Sequence, residues 1–366
     1  MKLAMTARVF ILLGLCQLLP SGNLIWAQPP ACAARNVILV IGDGMGLAQL
    51  SYLAYSSESP IAVESFPVIG FQKTHSATHL ITDSGAAATA FSCGIKTYNN
   101  AIGVNIDSVP CVNLFELAKE KGKHTGIVVT SSLVHATPAA FVAHQALRGF
   151  HEAIAENLVN LGVDYIVGGG QMYFKNRFSD DRDLLEELES MGYTVSGYDK
   201  KSFTAFTHRI DRQMAYFTAH SEPLPRMQGR ESLYEMVSHA LAMLSAQGEE
   251  GFLIMIEGSQ IDYAAHANDA GYMLSELKDT EMGIRAALEF ASGRDDTLII
   301  VTGDHESGAL ALRESKPDKR VHIELMSRNH TEMMVPVFAC GPCAEMFAGI
   351  YENTEIFHKI RAVTGL

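Results

Sequence analysis

Positive charge is scarce in this sequence: 28 Lys and Arg stand against 41 Asp and Glu in 366 residues, a formal net charge of −13. Sequence-independent nucleic-acid binding needs clustered Lys and Arg to displace phosphate counterions, so an extended nucleic-acid groove is excluded. No stretch reaches eighteen consecutive apolar residues, the length a membrane-spanning helix requires. Low-complexity tracts and internal repeats are also missing. Hydrophobic residues make up 48% and charged residues 19%, ordinary values for a chain with a real core, which excludes disorder and collagen-like repetition.

Cysteine is sparse too, with six in the chain. Lys2 and Arg8 precede the apolar run Val9 to Leu19, followed by Pro20, Ser21, Gly22 and the small residue Ala27. That order marks residues 1–27 as a secretory signal peptide, and a periplasmic or secreted protein is expected. A lipid anchor at Cys16 is disfavoured because Leu15 is bulky. Cleavage after Ala27 removes two positive charges and no negative ones, taking the net charge from −13 to −15. It leaves Cys32, Cys93, Cys111, Cys340 and Cys343, an odd set whose pairing stays open and in which at least one thiol is left over. Cys340-Gly341-Pro342-Cys343 is a single pair and a weak zinc signal; a local disulfide or two structural thiols is the preferred reading.

Short apolar runs alternate with amphipathic stretches, the pattern of parallel strands joined by crossover helices. The clearest strands are Asn36 to Ile41, Thr125 to Thr130, Val163 to Val167, Phe252 to Ile256, Thr297 to Thr302 and Val335 to Ala339. Helical patterns lie at Val112 to Lys121, Asp181 to Met191, Ser232 to Ala246, Tyr272 to Ala291 and Thr354 to Val363. Residues 28–366 therefore read as one doubly wound α/β domain, with a mostly parallel central sheet flanked by helices on both faces. Between about Gln171 and Arg230 no strong buried strand stands out, and residues 171–230 are expected to form a small insertion or cap over the sheet's working edge.

Ligands of open α/β sheets bind outside the carboxyl ends of the strands, so the residues that follow each apolar run matter most. Three runs end in acids: Gly42-Asp43-Gly44, Glu257-Gly258-Ser259 and Gly303-Asp304-His305. Each alone would be a turn or cap carboxylate. Together at one edge they would repel unless cations separate them, which points to metal. Gly42-Asp43-Gly44-Met45-Gly46 is not a dinucleotide loop, since its glycines are wrongly spaced and Asp43 would face a pyrophosphate. Asp262 and His266 fall four apart and share a helix face if that piece is helical. His330 lies just before the strand at Val335. Ser84, in Thr82-Asp83-Ser84, opens an Ala-rich helix whose amides favour an anion, and it needs a base or metal to become a nucleophile. The bland reading is that Asp83 or Ser84 merely caps that helix.

In chain order these blocks resemble the alkaline phosphatase family over nearly all of residues 28–366: Val37 to Gly44, Thr82-Asp83-Ser84, His135 to Ala139, Ala143-His144 with Arg148, Glu257 to Asp262 with His266, Gly303-Asp304-His305, and His330-Thr331 before Val335. The resemblance implies an alkaline-phosphatase-like fold and a phosphomonoesterase with two zinc ions and one magnesium ion. One zinc would take Asp262, His266 and His330, the other Asp43, Asp304, His305 and the Ser84 oxygen. Magnesium would share Asp43 and add Thr137 and Glu257. Ser84 would be the nucleophile, forming a covalent phosphoserine, and Arg148 would clamp phosphate with Asp83 orienting it. Four carboxylates and an alkoxide against three divalent ions and Arg148 leave about +2, which suits a monoester dianion. Two positions depart from the best-known bacterial pattern: His135 stands where Asp is common and Tyr263 where Lys is common. His135 is either a ligand or, preferably, a support behind the ligands, and Tyr263 either faces the site or packs. A homodimer is expected, a monomer being the alternative. The competing functions are a phosphodiesterase or sulfatase of the same superfamily, and a non-catalytic periplasmic metal- or phosphate-binding protein.

Overall fold

The computed structural model describes residues 32–206, 212–314 and 321–366. The signal peptide expected at 1–27 lies outside them. Fourteen strands are present among the described residues. The first seven are β1 (Asn36–Gly42), β2 (Val68–Lys73), β3 (His124–Ser132), β4 (Tyr165–Gly169), β5 (Thr194–Gly197), β6 (Met214–Phe217) and β7 (Phe252–Gly258). The rest are β8 (Thr297–Gly303), β9 (Glu306–Ser307), β10 (Leu310–Glu314), β11 (Val321–Leu325), β12 (His330–Thr331), β13 (Val335–Cys340) and β14 (Gly349–Glu352). Ten of them form one sheet in the order β14-β2-β13-β8-β1-β7-β3-β4-β6-β5. Pairing is parallel except at β13, which runs antiparallel to both β2 and β8.

The helices are α1 (Leu47–Tyr55), α2 (Ser84–Cys93), α3 (Leu114–Glu120), α4 (Ala136–Ala139), α5 (His151–Leu161), α6 (Leu184–Ser190), α7 (Leu233–Ala246), α8 (Gln260–Ala267), α9 (Ala270–Ala291) and α10 (Glu355–Thr364). β1 is buried along its whole length, as a strand covered on both faces must be. Its alternate residues Ile38 and Val40 join Ile254, Ile256, Ile299 and Val301 in one core with apolar residues of α1, α7, α8 and α9. Val37, Leu39 and Ile41 point the other way, where α2, α3, α4 and α10 pack. No helix among the described residues is long and apolar enough to cross a membrane.

Residues 171–230 depart from expectation. They carry β5 and β6, which extend the main sheet at its edge, and Met214–Phe217 is buried throughout. Four-residue strands are too short to show a period in sequence; pairing of β6 with β4, and of β5 with β6, decides them. The reading of Cys340 and Cys343 as a local disulfide is also corrected: Cys340 is a free thiol, with Cys93 and Cys111, whereas Cys343 is disulfide-bonded and so is Cys32.

Away from the carboxyl edge, Asp164 ties three segments together. It accepts from the Thr125 amide (2.8 Å), Lys119 Nζ (3.1 Å) and Gln213 Nε2 (2.9 Å). Burial alone would raise its pKa, but His124, the Thr125 amide and Lys119 outweigh that and hold it at about 2, against 3.8 unperturbed. A depressed carboxylate pKa stabilises the fold above the unfolded value and loses that contribution as pH falls through the folded one. Asp164→Asn is therefore expected to cost about 2 kcal/mol at pH 7, a gap that narrows from pH 4 downward, measured by urea denaturation at both ends.

Candidate active site

The sheet's centre delivers the acids. β8, β1 and β7 are neighbours in register, so Gly42 lies opposite both Gly258 and Gly303, and Asp43 and Asp304 leave adjacent strand ends together while Glu257 pairs with Ile41. Gly303 is required by close approach, since a Cβ there would sit 2.3 Å from the Met45 carbonyl. Gly44, at φ +75°, turns the chain so that its amide donates to Asp304 Oδ1 (3.0 Å). All three acids are fully buried.

Their hydrogen bonding is incomplete. Asp43 Oδ1, Asp304 Oδ2 and Glu257 Oε1 have no hydrogen-bond partner. Thr137 Oγ1 also lacks a well-formed hydrogen bond, although it lies close enough to Glu257 to ease that carboxylate's charge. Burial raises all three carboxyl pKa values and mutual repulsion adds to it: Asp43 moves well above the usual range, Asp304 to about 6 and Glu257 to about 7. Buried groups this short of positive charge fit a cation site, because ions supply both the missing partners and the missing charge.

Imidazoles come from three elements. Asp262 and His266 share one face of α8, with His266 Nε2 3.0 Å from Asp262 Oδ2. His330 reaches Asp262 Oδ1 (3.5 Å) from β12, which pairs with β9 so that His330 lies opposite Ser307. His330 Nδ1 donates to the Thr82 carbonyl (2.9 Å) and His266 Nδ1 to that of Arg328. A carbonyl only accepts, so Nδ1 holds the hydrogen in both rings and Nε2 faces the carboxylate, where an ion can replace the shared proton. Burial opposes charge on Asp262 and on His330, but hydrogen bonding wins: His266 and then His330 hold Asp262 well below the carboxylate range, and Asp262 raises His330 to about 9. His305, fully buried, stacks on His330 with centroids 3.6 Å apart. Burial and the His330 charge keep it neutral, and its Nε2 lies 3.2 Å from Asp304 and 3.4 Å from Asp43.

Three groups close enough to hold an ion result: Asp43, Asp304 and His305; Asp262, His305 and His330; and Asp43, Glu257 and His135. His266, expected beside His330, is not in the second group; its one polar contact there is Asp262, through Oδ2 at 3.0 Å, and Thr137 lies beside the third group.

Ser84 is the first residue of α2, and Asp83 is its cap, accepting from the Ala86 amide (3.0 Å). Ser84 Oγ lies 3.3 Å from His305 Nε2 and 3.5 Å from Asp43 Oδ2. The other Asp83 oxygen accepts from Arg148 Nη1 (3.1 Å), while Arg148 Nη2 donates to His135 Nε2 (3.0 Å). Guanidinium has no lone pair to give, so His135 Nε2 accepts and its hydrogen sits on Nδ1. Burial and Arg148 lower the His135 pKa to about 3, so the ring is neutral. Tyr263 packs edge-on against His135, centroids 5.6 Å apart, and donates to Glu222 Oε2 (3.3 Å).

Sequence reasoning missed several supports. Ser307 donates to Asp262 and contacts His305 Nδ1, Ser259 and Ser131 donate to Glu257, and Glu222 also accepts from the Ser132 amide. Ser259 and Ser307, two residues beyond Glu257 and His305, offered proximity as a signal. Glu222 offered none, lying in residues 171–230.

The alkaline phosphatase family model matches residues 34–317 and 309–366. Alkaline phosphatase 3 of Bacillus subtilis is 32% identical, covering 89% of this chain and 88% of its own. The alkaline phosphatase of the Antarctic bacterium TAB5 superposes with a TM-score of 0.86 at 40% identity, over 91% of this chain and 98% of that one. A histidine-to-aspartate variant of the TAB5 enzyme, with Mg bound in its M3 site, gives 0.84 at 38%, over 91% and 99%. Likeness of this extent means that the chain belongs to the alkaline phosphatase family and is an enzyme of that class.

Proposed function

We propose that this enzyme hydrolyses phosphate monoesters to an alcohol and inorganic phosphate through a covalent phosphoserine on Ser84. The observation that carries the reading is Ser84 Oγ set between Asp43 and His305, at the start of α2 and on the same cap residue that grips Arg148. Asp43, Asp304 and His305 with Ser84 would hold one zinc, Asp262, His266 and His330 the other, and Asp43, Glu257 and Thr137 a magnesium. Bound there, the ions lower the pKa of the serine hydroxyl and stabilise charge on the entering and departing oxygens.

The chain's own residues do the rest. Arg148 offers two N–H groups to the equatorial phosphoryl oxygens, and Asp83 and His135 fix the plane of that fork. The first-turn amides of α2 add their dipole. The Ser84 hydroxyl proton leaves by way of Asp43 Oδ2 to solvent as Oγ attacks phosphorus in line, the ester bond breaks, and the departing oxygen takes up a proton from water to leave as the alcohol. Water then attacks the phosphoserine, releasing phosphate and restoring the hydroxyl. With its ring hydrogen on Nδ1, His135 acts by holding Arg148 and not as a ligand.

Glu257 and Thr137, buried beside Asp43, favour a monoesterase over a diesterase or sulfatase. Comparing kcat/KM for a monoester, a diester and a sulfate ester tests this; a preference for either of the last two overturns it. Following the TAB5 variant, His135→Asp should tighten magnesium binding about 10-fold, because a carboxylate replaces a neutral ring beside Asp43 and Glu257. Magnesium titration followed calorimetrically reads this directly, and unchanged affinity refutes it. Export to the periplasm or medium and a homodimer complete the proposal; exposed Leu47, Ile69, Met333 and Met334 offer such a dimer apolar surface.

A further inference from the structure

The imidazoles of His266, His305 and His330 are not held alike. His266 Nδ1 and His330 Nδ1 donate to main-chain carbonyls, those of Arg328 and Thr82, which no side-chain change removes. His305 Nδ1 meets a side chain instead, Ser307 Oγ at 3.3 Å. Ser307 is 1% exposed and also donates to Asp262 Oδ1, the oxygen that faces His330. One hydroxyl thus stands between His305, which belongs with Asp43 and Asp304, and the carboxylate that belongs with His330.

A hydroxyl has one hydrogen, and a carboxylate only accepts. With the Ser307 hydrogen spent on Asp262, Oγ accepts from His305, so the ring hydrogen lies on Nδ1. A nitrogen that carries hydrogen binds no cation, which leaves Nε2 as the one nitrogen His305 offers. Nε2 lies 3.2 Å from Asp304 Oδ2 and 3.4 Å from Asp43 Oδ1, both without a hydrogen-bond partner. Two bare oxygens beside a bare nitrogen form a set that a cation completes.

The serine is held to this task. Gln49, fully buried in α1, donates one Nε2 hydrogen to the Ser307 carbonyl (2.6 Å) and the other to Glu306 Oε1 (2.8 Å). Pairing of β9 with β12 sets Ser307 opposite His330. Glycine at 44 leaves the hydroxyl its slot, since a Cβ there would lie 2.9 Å from Ser307 Oγ.

We propose that Ser307 is a positioning residue that couples the two zinc groups, through one hydroxyl that sets the His305 tautomer and braces Asp262. The inference rests on the zinc reading given above and adds a linkage to it. An ion on His305 Nε2 fixes the ring with its Nδ1 hydrogen on Ser307, which orders the hydroxyl toward Asp262. The second ion then meets a carboxylate already oriented and loses less freedom on binding. Coupling of this kind is reciprocal, so each ion tightens the other by the same factor.

The test adds zinc to stripped full-length protein, with magnesium present throughout, and follows uptake by calorimetry for the wild type, Ser307→Ala and Ser307→Thr. The wild type is expected to take up two zinc ions with positive cooperativity. Ser307→Ala, which leaves His305 Nδ1 without an acceptor, is expected to bind zinc about 10- to 100-fold more weakly and without cooperativity. Ser307→Thr, which keeps the hydroxyl, retains the wild-type isotherm. Scanning calorimetry separates this role from packing: Ser307→Ala lowers Tm more in the zinc-loaded protein than in the stripped one. Unchanged affinity in Ser307→Ala, independent uptake by the wild type, or the same loss in both variants overturns the coupling. If the wild type takes up no zinc, the metal reading of the centre fails and the coupling with it, a result seen before any variant is made.

Discussion

Ser84→Ala should abolish turnover, by a factor on the order of 10⁴ or more, while leaving the metal content as it was. Its hydroxyl contacts only Asp43 and His305 among the site residues, and both keep their places through β1 and β8. Alanine suits the first turn of a helix, and Asp83 still caps it, so α2 stays formed. What disappears is the atom proposed to bond phosphorus. The measurements are kcat, elemental analysis for zinc and magnesium, and mass spectrometry of acid-quenched protein for phosphate on Ser84. A variant that turns over at the wild-type rate removes Ser84 from the mechanism.

Stripping the ions with a chelator should have the second large effect, on stability as well as activity. Without cations Asp43, Glu257 and Asp304 stay buried with orphaned oxygens and raised pKa values. One ion held at a thousand times its Kd stabilises the native state by about 4 kcal/mol. At about 2 °C per kcal/mol, the loss of even one such site lowers Tm by roughly 8 °C. Scanning calorimetry of the stripped and zinc-restored protein checks this, with kcat recovering in step. An unchanged Tm would mean that these residues hold no ion.

Most of this centre was legible because its acids follow continuous apolar runs. Asn36 to Ile41, Phe252 to Ile256 and Thr297 to Thr302 read as buried strands, and a strand's carboxyl end is where Asp43, Glu257 and Asp304 had to be. The four-residue spacing of Asp262 and His266 likewise became one face of α8. Residues fixed by distant neighbours stayed hidden. β2 alternates exposed and buried positions around Gly70 and gains its place only by pairing with β13 and β14. Glu222 enters because the chain beyond β6 returns toward Tyr263, which no local pattern encodes. The Arg148 to His135 bond, which decides the tautomer of that ring, joins residues whose separation carries no periodic signal.

Asp83 serves two masters with its two oxygens, one on the Ala86 amide and one on Arg148. The proposed clamp on phosphate and the helix that carries the proposed nucleophile are thereby fastened by the same carboxylate. Movement of Arg148 away from Asp83 releases one of that carboxylate's two contacts, and fraying of the first turn of α2 releases the other. Product escape and local helix melting thus share one latch, so the rate of release should follow temperature as fraying does, more steeply than diffusion through water would allow.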